Sequence, residues 1–283
     1  MSSPGYKDIT PKVYAAGILV SFTKFGTDHP GLMNKIAFAL LFLFVLPACH
    51  RDTTSKLTIA ASANMQYVIK ELAHSFFDIT GVESETVVAS SGKLTAMIQE
   101  GAPFDIFVSA DMMYPQQLYE NGFALAAPEI YAYGHLVLWS MKEGTIPKVD
   151  QLPNADIRHI ALANPKTAPY GKAALEVLKH HNLYKTVEKK LVFGESISQT
   201  NQFILSGAAE LGFTAKSVVV SPALKEKGTW TALDPGTYRS IAQGVILLKN
   251  RDVHIESAKR FYDFLFSKEA QEKLLQYGYS LDP

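Results

Sequence analysis

The sequence predicts an α/β protein whose mostly parallel sheets are flanked by helices, and three observations support that fold class. Apolar runs of strand length alternate with segments of helical period from residue 57 to residue 277. Strand followed by helix, repeated, is the pattern of a parallel sheet with crossover helices. With 283 residues, 47% of them hydrophobic and 19% charged, the chain also holds the material for a large core in one or two lobes.

The first strand is 57–60, Leu-Thr-Ile-Ala. The helix behind it sets Met65, Val68, Ile69, Leu72, Ala73, Phe76 and Phe77 at helical spacing before Gly81 stops it. A strand at 86–89 leads to a helix at 93–99, and a strand at 104–108 to a helix at 114–120 closed by Asn121-Gly122. Apolar segments at 136–139 and 160–163 precede a helix at 172–179. A strand at 191–193, a helix at 199–205 and a strand at 211–214 follow. A long strand at 241–248 then precedes two closing helices, 256–266 and 268–277. No repeat or low-complexity tract interrupts the series.

Lys+Arg and Asp+Glu both number 27, so no basic face of the kind nucleic acid needs dominates the chain, and no nucleic-acid partner is expected. One cysteine excludes an intrachain disulfide and a cysteine-rich metal cluster. That residue, Cys49, ends a segment of processing character. Met33-Asn34-Lys35 precedes an apolar run at 36–46, too short for a bilayer, which takes about 20 residues. Charge, short apolar core and small residue in that order read as a secretory signal, with Met33 as the natural initiator and 1–32 as a non-native leader. Leu46-Pro47-Ala48-Cys49 resembles a bacterial lipobox, in which the cysteine thiol is acylated and becomes the mature N-terminus. The resemblance implies loss of 1–48, a polar linker at 49–55, and a body tethered by lipid outside the cytoplasmic membrane.

In an open parallel sheet, the loops after the strands gather on one edge, and the following helices point their amino termini there. Four such turns are rich in small or hydrogen-bonding residues: Ala61-Ser62-Ala63-Asn64, Ser90-Ser91-Gly92, Thr167-Ala168-Pro169-Tyr170-Gly171 and Glu195-Ser196-Ile197-Ser198. Singly, each serves as a helix cap. Converging, they would present backbone N–H groups and hydroxyls to an anion at the positive ends of helix dipoles. Lys93 and Lys172 follow two of the turns and are either direct anion ligands or solvated side chains.

Enzyme chemistry finds less support. Gly194-Glu195-Ser196-Ile197-Ser198 begins like a nucleophile elbow but lacks the closing glycine. Neither phosphate-loop nor dinucleotide fingerprint occurs. His180 and His181 are adjacent, so they point to different sides of a helix and do not share a metal; a helix-end dipole role suits them better. Asp105 and Asp111 suit a strand face and a helix cap better than a catalytic carboxylate pair.

The combination of turns is similar to that of the periplasmic molybdate-binding proteins that feed ABC transporters. The residues that carry the resemblance are Ser90-Ser91-Gly92-Lys93-Leu94, Gly101-Ala102-Pro103-Phe104-Asp105-Ile106-Phe107-Val108-Ser109-Ala110-Asp111, Ala60-Ala61-Ser62-Ala63-Asn64 and Leu211-Gly212-Phe213-Thr214-Ala215. The resemblance implies a two-lobe periplasmic-binding-protein fold with the ligand in the interlobe cleft, residues 56–133 plus 235–283 forming one lobe and 134–234 the other. It implies a molybdate or tungstate site on Ala63, Asn64, Ser91, Tyr170 and Ile197, with no catalytic residue, no cofactor and no metal except as the oxyanion. Some members carry a binding tyrosine where this chain has Ala215. The implied protein is a monomeric receptor, a non-enzyme, exported to the periplasm or the outer face of a membrane and partnered by a transporter permease. A receptor for sulfate or a small organic solute, or an enzyme on the same scaffold, are the alternatives.

Overall fold

Alternate residues of a strand face opposite sides of its sheet, and in β1 (Leu57–Ser62) both sides are buried. Ile59 and Ala61 join one buried cluster and Ala60 another. Strands β3 (Ile106–Val108) and β10 (Ile241–Leu247) repeat the division: Ile106, Val108 and Val245 lie on the first side, Phe107 and Ile246 on the second. A sheet covered on both faces explains why these strands read as continuous apolar runs.

The computed structural model describes residues 56–144, 146–249 and 254–283. The leader, Cys49 and the linker at 49–55 lie outside the described residues. The first sheet has the order β2-β1-β3-β10-β4, with β2 at Ser84–Ala89 and β4 at Glu129–Gly134. Helices α1 (Val68–Thr80), α8 (Ile255–Leu265) and α9 (Lys268–Gln276) cover one face, where Phe76 meets Phe261 edge-on at 5.1 Å. Helices α2 (Ser91–Gln99) and α3 (Met113–Glu120) cover the other.

The second sheet has the order β7-β6-β8-β5-β9, built from β5 (Leu136–Ser140), β6 (Ile160–Ala163), β7 (Leu191–Gly194), β8 (Leu211–Ala215) and β9 (Thr229–Ala232). Its core holds Trp139, Tyr170 and Phe213 and takes in α4 (Pro169–His180) and α6 (Ile197–Leu205). Short helices α5 (Tyr184–Val187) and α7 (Lys216–Val219) complete it. The chain thus forms two α/β lobes.

In each sheet four strands share one direction and a fifth opposes them: β10 in the first, β5 in the second. Both opposed strands arrive by crossing from the other sheet. Two strands, β4 and β9, escape the apolar-run reading. Each is the outer strand of its sheet and is partly exposed, with burial too mixed to leave a strong pattern.

Candidate functional site

The helices that follow β2, β6 and β7 all begin earlier than their apolar periodicity suggests. Helix α2 starts at Ser91 rather than 93, α4 at Pro169 rather than 172, and α6 at Ile197 rather than 199. Their first turns, Ser-Gly-Lys, Pro-Tyr-Gly and Ile-Ser-Gln, are short of apolar periodicity but have the right capping chemistry. Pro169 fixes the first residue of α4, and the Ser196 hydroxyl caps α6 by accepting from the Gln199 N–H at 3.4 Å. After β1, Ala63–Met65 forms a single 3-10 turn, so Met65 precedes the α-helix proper.

The early starts bring the turns together. Ser62, Ala63 and Asn64 behind β1, Ser90 and Ser91 behind β2, and Ala110 behind β3 face Ala168, Pro169, Tyr170 and Ile197 across a small cavity. None of the ten is charged. Ala63, Asn64, Ser91, Tyr170 and Ile197, the five residues singled out from the sequence, are all on this list and all buried. Ala63 opens the 3-10 turn, and Ser91, Tyr170 and Ile197 stand in the first turns of their helices, where an amide N–H has no intrahelical acceptor and carries the positive end of the helix dipole.

Ser62 was not singled out, although its turn was. Its Oγ lies 2.6 Å from Ser91 Oγ, and the Ala110 N–H donates to both at 3.1 Å. That amide takes up a lone pair on each oxygen. One hydroxyl proton makes the Ser–Ser bond, leaving the other to donate into the cavity.

The Asn64 side chain is used behind the cavity. Its Nδ2 donates to Gln243 Oε1 at 2.8 Å and to the Tyr279 hydroxyl at 2.9 Å, while the Asn64 backbone carbonyl accepts from Ser217 Oγ at 2.8 Å. Gln243 Oε1 also accepts from the Tyr131 hydroxyl at 2.9 Å, while Gln243 Nε2 donates to the Tyr170 hydroxyl at 3.0 Å. The Tyr170 side chain therefore belongs to this polar hub and its backbone to the cavity. Burial holds the phenols of Tyr131, Tyr170 and Tyr279 well above their ordinary range, so all three are neutral donors. Gly134, where β4 leaves the first sheet, makes room: a Cβ there would collide with the Tyr170 hydroxyl and Gln243 Nε2.

The lobes meet over the cavity. The Gly92 N–H donates to the Thr167 carbonyl at 2.9 Å, the Tyr114 hydroxyl to the Lys166 carbonyl at 3.0 Å, and Ser198 Oγ to Gln66 Oε1 at 2.7 Å. The charged residues near the turns stay outside. Lys93 pairs with Glu195 at 3.8 Å with both side chains mostly exposed, and Lys172 lines a neighbouring hollow with Asp111 and Arg239. Asp111 accepts the Tyr114 N–H at 3.3 Å as a helix cap, and burial pushes its carboxyl up. Asp105 accepts the Thr58 N–H at 2.7 Å and pairs with His254 at 3.2 Å, away from the cavity. His180 and His181 end α4 as a T-shaped ring pair.

The family model described as bacterial extracellular solute-binding protein matches residues 57–280. The molybdate-binding protein ModA of Rhodobacter capsulatus is 37% identical over 244 residues, covering 86% of this chain and 94% of that protein. ModA of Azotobacter vinelandii is 38% identical over 232 residues, 80% of this chain and 90% of the relative. The solved Azotobacter vinelandii periplasmic molybdate-binding protein superposes with a TM-score of 0.76 at 33% identity, covering 81% of this chain and 100% of its own.

Proposed function

The chain belongs to the bacterial extracellular solute-binding proteins, and from that premise we propose that it captures molybdate or tungstate between its lobes and hands the oxyanion to an ABC transporter permease. The observation that carries the proposal is the cavity wall, ten uncharged residues supplied by both lobes. The ligand set is the hydroxyls of Ser62 and Ser91 with the backbone amides of Ala63, Asn64, Tyr170 and Ile197. The receptor is a non-enzyme that uses no cofactor. It works as a monomer held by a lipid on Cys49, with lobes at 56–133 plus 235–283 and 134–234.

Neutral donors suit a tetrahedral dianion. A charge-assisted hydrogen bond contributes roughly 1.5–3 kcal/mol net, and dipoles at helix amino termini stand in for a counter-charge without the cost of desolvating a lysine. Donors fixed on two packed lobes discriminate by size, because a smaller oxyanion such as sulfate cannot reach all of them. Losing two such bonds costs about a hundredfold or more in affinity. Phosphate carries a proton near neutral pH and needs an acceptor, but no carboxylate lines the cavity, and Glu195 is turned outward against Lys93.

Calorimetric titration of the purified protein against molybdate, tungstate, sulfate and phosphate tests this reading. One tight site for the two oxometalates is expected, with sulfate at least about a hundredfold weaker. Sulfate binding as tightly as molybdate would sink the selectivity argument.

A further inference from the structure

Gln243 is fully buried in the middle of β10. A primary amide placed there is costly unless its groups find partners. Its oxygen accepts from Asn64 and Tyr131, and its nitrogen donates to Tyr170. The local backbone is shaped around it. The pairing of β10 with β4 slips by one residue between Gln243 and Gly244, leaving Tyr131 as the extra residue of β4.

Two of these partners are special. Asn64 and Tyr170 line the cavity from opposite lobes with their backbones, and both turn their side chains onto this one amide. The hub also holds an orphan: Asn64 Oδ1 is buried with no partner. The Tyr170 hydroxyl, which receives from Gln243, retains its own proton.

We propose that Gln243 is a positioning residue for the oxyanion site, holding the Asn64 and Tyr170 backbone amides in register across the cleft so that tight binding and lobe closure depend on its side-chain amide. The inference rests on the oxyanion-receptor reading and extends it to a residue that lies outside the cavity wall. Only a neutral amide does this work. Leucine offers no bonds, and a carboxylate has nothing to donate to Tyr170 and adds negative charge behind a dianion. A protonated carboxylic acid, with one donor and one acceptor, restores the pattern.

Calorimetry and small-angle scattering with molybdate on the wild type, Gln243→Leu and Gln243→Glu read the effect. The leucine variant is expected to lose about tenfold or more in affinity and to close less completely on ligand. The glutamate variant is expected to lag the wild type most at alkaline pH, the gap narrowing as acid protonates the new carboxyl. The groups facing that position are Asn64, Tyr131 and Tyr170, with Tyr279 behind Asn64; the phenols stay neutral, and His135 at the lobe crossing titrates alike in both proteins. A merely structural role would lower thermal stability without a pH-dependent affinity ratio. Wild-type affinity and closure in the leucine variant overturn the inference. Should that variant fail to fold, a glutamate variant whose affinity ratio ignores pH overturns it instead. A wild type that binds no oxyanion overturns the receptor reading itself, and this inference with it.

Discussion

Replacing Ser91 with alanine removes one of two hydroxyls that share the Ala110 amide. Molybdate affinity is expected to fall by about 1–3 kcal/mol, measured by calorimetry. Ser62→Ala should cost a similar amount. Because each oxygen bonds the other at 2.6 Å, the double variant should lose less or more than the sum, and a double-mutant cycle reads that coupling. Additive losses would mean that the two hydroxyls act separately. At this scale the sequence was partly legible. Capping-type residues marked the right turns, but nothing in Ala61-Ser62-Ala63-Asn64 says which side chain enters the cavity. That is decided by partners 48 and 179 residues away in the chain, Ala110 for Ser62 and Gln243 for Asn64.

The amino terminus of α2 is where one element of the first lobe touches the second. At Gly92 a Cβ would lie 2.7 Å from the Tyr114 hydroxyl of the same lobe, which must shift, and 3.0 Å from the Thr167 backbone of the other lobe, which must give way by a few tenths of an ångström. Gly92→Ala is therefore expected to weaken molybdate binding and leave the scattering profile of the loaded protein more open, while the melting temperature without ligand changes little. Equal closure in the variant would show that the contact is not needed. The elements themselves were legible wherever apolar periodicity was strong. The first turns of α2, α4 and α6 were not, because they are built from capping and small residues rather than from core-facing ones. The site lies in those same first turns, so periodicity locates the helices and misses the residues at which the ligand is expected to bind.

At the scale of the molecule, the two lobes are joined by crossing strands, and His135 sits between β4 and β5 on one of them. Its Nε2 lies 3.1 Å from Ser280 Oγ, and burial, with the nearby charge of Lys216, holds its pKa below the ordinary 6.5. A depressed histidine is neutral in the folded state and readily protonated in the unfolded one, so the unfolded state binds more protons as the medium turns acid. Stability from this group is full above about 6.5 and is lost as pH falls below it. Melting curves across that range should show the wild type losing stability faster than His135→Gln, and parallel curves would remove the residue from the pH response. The two-lobe arrangement was legible through family resemblance, whereas periodicity alone left one sheet or two open. The outer strands β4 and β9, which flank the crossings, are too mixed in burial to announce themselves.

The antiparallel bridge of Tyr133 to Ser280 and the insertion of β10 between β3 and β4 carry a temporal consequence. A polypeptide synthesised from its amino end delivers β1, β2 and β3 long before the strand that completes their sheet. Pairings so distant along the chain form slowly, so the first lobe stays unfinished until the tail has emerged.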